Sequence, residues 1–409
     1  MSHQRRTRAL LSAVLALLLV GFLAQPTVGA PPSRRGVQVV LDWERIGIRT
    51  VYTDAASPIP SGTLYLGLMS LAVDRAVRAA SGRHRTSAPA AAAVAAHDVL
   101  RTYFPASAAR LDDDLAGTLA EVGRGRSTRN GVRLGHAVAA RLVASRVGDG
   151  IPAAGEQPLT YRRDVAPGVW QPPAAGMLVP WLGYVEPLVL RRPVPVDGPD
   201  ALGSAAYAAD YAEVRRVGRA TAAATDRSSE QTAIATFFNS NVVLLYHEAL
   251  IRHLEASPLS LTRTAHLFAA IDAASADAAI RCWQLKYEFG FWRPFQAVAG
   301  AADDGNPATT AESGWTPLLA TPPYPDYVSG HGCLTSAFAG ATRALLGGAV
   351  PLRLHSATTN SDRSYPTLSA LEEHALQARI WSGLHFRDAM EDAYRVGHVT
   401  AERVVAQLG

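Results

Sequence analysis

The chain of 409 residues contains almost no lysine. Lys286 is the only one, and the other 38 cationic side chains are all arginine. An ammonium is a compact point charge with three freely directed donors, whereas a guanidinium is a planar fork. The excess of arginine could reflect the base composition of the genome, so the lone lysine marks a position of interest without giving it a role.

Cysteine is also scarce, with two residues in the whole chain. Two cysteines are too few for a disulfide scaffold of the kind found in small secreted domains. Cys282 lies four residues before Lys286, and Cys333 lies two residues after His331. Two interpretations stay open: a disulfide that joins these segments in an oxidising compartment, or two buried free thiols that pack as small apolar groups.

The chain has little net charge. The formal value is +4, and residues 1–30 contain three arginines and no acidic residue, so the remainder carries only +1. No basic stripe with interleaved aromatic residues remains to bind nucleic acid, which we therefore exclude as a partner.

Residues 1–30 have the pattern of an export signal. Arginines at positions 5, 6 and 8 precede an apolar run over 9–23 and the small residues Val28-Gly29-Ala30. This pattern predicts cleavage near residue 30 and an extracellular or periplasmic protein, by either the general or the twin-arginine route. No later run of about 18 residues is free of polar groups, so we expect no transmembrane segment in the mature chain.

Strand-like alternation is nearly absent after residue 30, and apolar residues recur at helical spacing. The pattern predicts an all-α fold, as one integrated domain over 31–409 with an N-terminal half (31–200) and a C-terminal half (201–409). Residues 151–200 are rich in proline and glycine and are expected to form a packed excursion or lid. The predicted helices cover 61–80, 88–103, 111–122, 132–147, 205–219, 229–255, 261–292 and 334–346. Ser228 to Gln231 is expected to cap one helix, and Ser369 and Glu372 to form a capping box on another.

The segment from Lys286 to Arg293 predicts a buried anion site. Seven residues are nearly two helical turns, so the two cations are expected to share one helical face. Gly290 lies between them and removes a side chain from that face. Four aromatic residues between 287 and 292 indicate burial, and buried cations require a counter-anion.

Two further segments supply groups that bind or act on an oxyanion. Ser329-Gly330-His331 comes just before a predicted helix, where free N–H groups favour anions and the imidazole could act as an acid. Arg379 and His385 are six residues apart, which is not one face of a regular helix, and Gly383 is expected to mark a bend between them.

Together these motifs resemble the vanadium-dependent haloperoxidase and type 2 phosphatidic acid phosphatase superfamily. Its signature is Lys-x6-Arg-Pro, Pro-Ser-Gly-His and Ser-Arg-x5-His-x3-Asp, and its architecture is an all-α bundle. The resemblance implies that His331 is the acid-base residue and that His385 is the axial ligand of vanadate or a phosphorylated nucleophile. It implies oxyanion binding by Lys286, Arg293, Ser329, the Gly330 amide and Arg379.

The chain departs from that signature at three positions. Val328 replaces the proline before Ser329, and Ala378 replaces the serine before Arg379. Ala389 stands where the signature has an aspartate. The expected orienting carboxylate for His385 is therefore Asp388, or else Glu391 or Asp392.

For function, the resemblance implies a haloperoxidase that uses vanadate, hydrogen peroxide, a halide and an organic acceptor. Lys286 would polarise the bound peroxide, and Trp283 and Tyr324 match the aromatic pair around the halide site of that branch. The alternative is an acid phosphatase that needs no cofactor and hydrolyses a phosphoester through His385. A third possibility is a helical binding protein that retains the fold without turnover.

Overall fold

The computed structural model describes residues 34–152, 161–221 and 225–409. The predicted export signal at 1–30 lies outside these ranges. The all-α prediction is confirmed: thirteen α-helices and one two-stranded hairpin make up the regular structure of the described residues, apart from short 3-10 and π-helical turns. None of these helices is long and apolar enough to cross a membrane.

Five helices build the N-terminal half. A π-helical turn, Arg49–Asp54, joins the first two of them. The prediction for 88–103 is correct to the residue, because Ser87 caps the helix and Pro105 follows its end. The helices are α1 Arg34–Ile48, α2 Ile59–Ser81, α3 Ala88–Tyr103, α4 Ala108–Val122 and α5 Arg126–Ala144.

Eight helices and the hairpin follow residue 200. The antiparallel hairpin pairs β1 Leu352–Ser356 with β2 Ser361–Tyr365 and was not predicted. The helices are α6 Ala205–Val217, α7 Ser229–Phe237, α8 Val242–Ala256, α9 Leu261–Phe289, α10 Pro294–Gly300, α11 Gly330–Leu346, α12 Leu368–Trp381 and α13 Arg387–Leu408.

Helix α9 is the centre of the bundle and packs against α2, α11 and α13. Small residues make this close packing possible. A Cβ atom on Gly67 of α2 would lie 3.1 Å from the backbone oxygen of Asp272 and 2.6 Å from Leu188. Pro32–Gly409 forms one compact unit, in which helices from before and after residue 200 are in direct contact.

Several predicted helix boundaries were wrong: α5 begins at Arg126 and α11 at Gly330, against predicted starts at 132 and 334. Two further boundaries and one predicted cap were wrong for local reasons. The helix predicted over 229–255 is two helices, because Asn241 accepts hydrogen bonds from Val243 N and Leu244 N and starts α8 afresh. Helix α9 ends at Phe289, since Gly290 adopts a left-handed conformation with φ of 60°. The predicted capping box does not form: Thr367 caps α12, while Glu372 pairs with Arg343 and His398. The cap at Ser228 and Gln231 is confirmed.

The proline-rich segment is a packed excursion. Residues 153–160 lie outside the described ranges, but Trp170, Leu182 and Leu190 are buried. The carboxylate of Asp277 on α9 accepts hydrogen bonds from the backbone N–H groups of residues 188, 189 and 190. This contact attaches the excursion to the central helix.

Candidate oxyanion site

The three sequence motifs converge on one side of α9. The groups come from the ends of helices and the loops between them, where backbone donors and acceptors are not used within the helices. Lys286 lies in the last turn of α9, Arg293 caps α10, Ser329 caps α11, Gly330 and His331 begin α11, Arg379 lies in the last turn of α12, and His385 lies in the loop before α13.

Lys286 is fully buried and holds a loop. Its Nζ donates to the backbone oxygens of Pro325, Asp326 and Val328 at 2.9, 3.1 and 2.5 Å. Burial lowers the pKa of Lys286 to about 8. All three N–H groups of the ammonium are therefore used by backbone within the described residues, which differs from the predicted direct contact with an oxyanion.

Arg293 and Lys286 were predicted to share one helical face, and this prediction was wrong. The left-handed Gly290 ends α9, so Arg293 reaches the site as the residue before α10. Its Nε donates to Tyr324 O at 2.8 Å, and its Nη1 donates to Leu384 O at 2.8 Å. The Nη2 atom is buried and has no hydrogen-bond partner among the described residues.

Arg379 is the least satisfied cation of the site. Its side chain is buried, yet Nε and Nη1 have no hydrogen-bond partner within the described part of the chain. Burial lowers the pKa of its guanidinium to about 10, so it stays charged at neutral pH. Arg379 also lines a cavity of about 200 Å³ together with His331. Two unpaired, charged donors at a buried cavity are a strong indication of an anionic ligand.

Ser329 and His331 lie at the amino terminus of α11. The Ser329 hydroxyl accepts a hydrogen bond from Gly332 N at 3.3 Å, as an N-cap does, and its own N–H donates to Ala389 O at 2.9 Å. His331 is half-buried and faces the cavity. Burial, followed by the positive charges of Arg379 and Arg293, holds the pKa of His331 well below its usual value.

His385 is fully buried beside a carboxylate that the sequence interpretation missed. Its Nδ1 lies 2.8 Å from Oδ1 of Asp326, and its Nε2 lies 3.1 Å from Nη1 of Arg293. Burial and the charges of Arg293 and Lys286 hold the pKa of His385 well below its usual value, so its imidazole is neutral. Burial raises the pKa of Asp326 to about 7.

The predicted contact between Asp388 and His385 is not made. Asp388 Oδ2 instead accepts a hydrogen bond from the Asp200 N–H at 3.2 Å, so this carboxylate is turned towards the end of the proline-rich excursion. The signal that could have found Asp326 is its position in Pro325-Asp326-Tyr327, directly before the Ser-Gly-His motif. A carboxylate beside so many buried cations is the expected counter-ion.

The charge balance of the site fits a tetrahedral oxyanion. Lys286, Arg293 and Arg379 are at most 1% exposed, and Asp326 is the one carboxylate that pairs with any of them among the described residues. Burial of two or three cations beside a single carboxylate is costly unless an anion completes the set. Phosphate and vanadate both have the charge and the several acceptor oxygens that the free donors of Arg293 and Arg379 require.

Two aromatic side chains form part of the cavity wall. The rings of Trp283 and Tyr324 have centroids 5.1 Å apart. Tyr324 lies under two cations, with Lys286 Nζ at 4.7 Å and the Arg293 guanidinium carbon at 4.8 Å from its ring centroid. The proline-rich excursion reaches this wall, since Leu178 O accepts a hydrogen bond from Trp283 Nε1 at 3.2 Å.

The two cysteines are free thiols, and the disulfide interpretation was wrong for this structure. Both are fully buried, and Cys282 Sγ donates to Val328 O at 3.4 Å. Burial holds the pKa of Cys333 well above its usual value. The thiols therefore pack behind the loop that Lys286 holds.

Comparisons with known proteins identify similar sequences and folds. The family model for the second helical-bundle domain of VCPO matches residues 266–408. The vanadium chloroperoxidase of Curvularia inaequalis is 31% identical over 166 residues, a match that covers 33% of this chain and 27% of that protein. The aligned part is thus about a quarter of the relative's length.

Solved structures share the fold over most of the chain. A bacterial vanadium-dependent iodoperoxidase superposes with a TM-score of 0.70 at 20% identity, covering 93% of this chain and 98% of the other. A bacterial vanadium-dependent chloroperoxidase in its holo form superposes with a TM-score of 0.66 at 16% identity. The match covers 86% of this chain and 92% of the other.

The fold and the site define a helical-bundle protein with a buried cationic pocket for an oxyanion. Residues 266–408 match the family model for the second helical-bundle domain of VCPO, and the fold over most of the chain is that of the solved vanadium-dependent haloperoxidases.

Proposed function

We propose that this protein is a vanadium-dependent haloperoxidase, which oxidises a halide with hydrogen peroxide and passes the oxidised halogen to an organic acceptor. The observation that carries the proposal is the buried pocket in which Arg379 offers unpaired N–H groups beside two neutral imidazoles. The relatives named above support the choice of vanadate as the oxyanion.

The residues present fit vanadate. The free N–H groups of Arg293 and Arg379, with the Ser329 hydroxyl and the Gly330 amide at the start of α11, would hold its oxygens. His385 would be the ligand to the metal through Nε2. When bound, vanadate would supply a Lewis-acid centre that activates hydrogen peroxide towards halide.

The protein's own groups then have separate tasks. His331 faces the cavity as a neutral imidazole, so it can accept a proton from incoming hydrogen peroxide at neutral pH. Lys286 keeps the 325–328 loop in place and adds positive charge beneath Tyr324. Trp283 and Tyr324 provide a polarisable wall that suits a halide and limits the access of water.

An acid phosphatase is the second candidate, because phosphate fits the same donors. That reaction needs His331 protonated to release the alcohol, a state that a phosphoester bound among these cations would favour. The aromatic wall of Trp283 and Tyr324 is better suited to a halide than to a charged phosphoester. We therefore place the haloperoxidase first.

One assay series separates the candidates. Purified protein is incubated with and without orthovanadate, and peroxide-dependent halogenation of a phenolic dye is measured with chloride, bromide and iodide. Hydrolysis of p-nitrophenyl phosphate is measured in parallel. Halogenation that requires vanadate is expected. Phosphate release that vanadate inhibits would favour the phosphatase, and inactivity in both assays would favour the binding protein. Because residues 1–30 are proposed to direct export, the protein is assayed from residue 31.

A further inference from the structure

We propose that Asp326 positions His385 as the oxyanion ligand, in the role that the superfamily signature gives to a carboxylate four residues after the histidine. This inference rests on the proposed function, since it concerns the same site. Asp326 comes from the loop before α11, on a different segment of the chain from the histidine that it would orient.

The contact between the two side chains is short and buried. Oδ1 of Asp326 lies 2.8 Å from Nδ1 of His385, and both residues are fully buried. Arg293 Nη1 lies 3.6 Å from the same Oδ1 atom, so a cation stabilises the carboxylate from a second side. Both carboxylate oxygens of Asp326 are buried without a hydrogen-bond partner among the described residues, and Nδ1 of His385 is the ring nitrogen closest to Oδ1. A proton on Nδ1 that turned towards the ionised carboxylate would leave the lone pair on Nε2, the nitrogen required of a ligand.

Both the backbone N–H and the backbone carbonyl of Asp326 form hydrogen bonds. Its N–H donates to Phe291 O at 2.9 Å, and its carbonyl oxygen accepts from Lys286 Nζ at 3.1 Å. The next residue, Tyr327, donates its hydroxyl to Asp392 on α13. A carboxylate on a backbone fixed in this way can define the orientation of an imidazole ring.

The other acidic residues near His385 are used elsewhere. Asp388 accepts from the Asp200 N–H, and Asp392 accepts from Tyr327. Glu391 is exposed and lies 3.8 Å from Arg387. At residue 389, where the signature places its aspartate, this chain has alanine, whose backbone oxygen binds the Ser329 N–H. Asp326 is thus the one carboxylate among the described residues in ion-pair contact with His385.

Two measurements test the proposal on Asp326→Ala, Asp326→Asn and the control Asp388→Asn. The first is the 15N spectrum of histidine-labelled protein without any ligand, with the His385 signals assigned by their loss in His385→Gln. The wild type should show the Nδ1–H tautomer, and Asp326→Ala should lose it because the acceptor is gone. Asp388→Asn should match the wild type.

The second measurement is orthovanadate binding by calorimetry, with inorganic phosphate as a second probe. Loss of a group that orients a metal-binding histidine typically costs about 10- to 100-fold in affinity. We expect a loss in this range for Asp326→Ala, a smaller loss for Asp326→Asn, which keeps one acceptor oxygen, and less than about twofold for the control. Circular dichroism establishes that each variant is folded.

The outcomes distinguish this inference from the proposed function. An unchanged His385 tautomer in Asp326→Ala would overturn the inference, even if the wild type halogenates. A changed tautomer together with weakened vanadate binding supports it, even if no halide is oxidised. If the wild type bound neither anion, the tautomer alone would decide whether Asp326 orients the ring. If Asp326→Ala does not fold, Asp326→Asn gives the same comparison with a smaller change.

Discussion

The Nζ atom of Lys286 lies 2.5 Å from the backbone oxygen of Val328, and two further backbone oxygens take its remaining protons. The three donors of an ammonium point in tetrahedral directions, so one small group can satisfy three carbonyls of a tightly curved loop. A planar guanidinium presents its donors as a fork and cannot reproduce that arrangement. This contact is a physical reason for one lysine in a chain that otherwise uses arginine.

Substitution of this lysine should destabilise the protein. In Lys286→Arg and Lys286→Met the carbonyls of Pro325 and Asp326 lose this donor, while that of Val328 keeps only the Cys282 thiol, and each unsatisfied group costs about 1–3 kcal/mol. We expect a total loss of roughly 3 kcal/mol, measured by chemical denaturation at neutral pH. The control Arg216→Lys changes a cation that is 59% exposed and should have little effect. A Lys286→Arg variant as stable as the wild type would show that the loop does not depend on the ammonium.

Substitution of Arg379 should weaken anion binding without lowering the stability of the ligand-free protein. Because its buried guanidinium has two unpaired nitrogens, Arg379→Met should leave the stability of the ligand-free protein unchanged or raise it. The same variant should bind orthophosphate or orthovanadate roughly 10- to 100-fold more weakly, as expected for the loss of a charged hydrogen bond of about 1.5–3 kcal/mol. Calorimetry and thermal shifts measure the two effects. Arg343→Met, which loses an ion pair with Glu372 away from the cavity, is the control. Full anion affinity in Arg379→Met would contradict the assigned site.

Gly290 should be intolerant of any side chain. It has φ of 60°, and an added Cβ would lie 2.3 Å from the hydroxyl of Tyr161. Gly290→Ala should therefore cost more than the roughly 1 kcal/mol of left-handed strain alone. Gly314→Ala has a similar φ of 77° in open space, and Gly82→Ala has neither strain nor a neighbour within 4 Å. We expect losses of unfolding free energy in the order Gly290, Gly314, Gly82, and equal losses at the first two would exclude the clash.

Asp277 should make stability depend on pH. Burial raises its pKa to about 6 from the ordinary 3.8, although three backbone N–H groups favour the ionised form. Because the folded state favours the protonated acid, this stabilising contribution is complete below pH 3.8 and is lost as the pH rises through 6. The shift corresponds to about 3 kcal/mol. The unfolding free energy of the wild type relative to Asp277→Asn should therefore fall between pH 3.5 and 7 by an amount of that order.

Denaturation of both proteins across this range measures the difference directly, so that other titrating groups cancel. Asp113→Asn, which makes the same substitution at an exposed position of α4, is the control. A wild type that gains stability over Asp277→Asn as the pH rises would reverse the sign and disprove the argument.

Helices whose start and end signals are local were predictable. The Ser87 cap and Pro105 enclose α3, and Ser228 with Gln231 starts α7, because each signal acts within one helical turn. Prediction failed where one position could end a helix or continue it. Gly290 is compatible with both, and its contacts with Tyr161 and the rest of the proline-rich excursion lie more than a hundred residues away in sequence.

The residue types of the pocket could be read from the motifs, because binding an oxyanion requires particular donors at particular spacings. Their individual tasks could not. Asp326 meets His385, and Lys286 holds a loop, through contacts across about 40 to 60 residues of chain. Such pairings depend on how the helices pack and on which carbonyls and carboxylates remain without partners once they have packed. The sequence by itself determines which residue types are available to the pocket, because they lie in short motifs. The tertiary structure determines which groups contact each other, because those contacts form only when the helices pack.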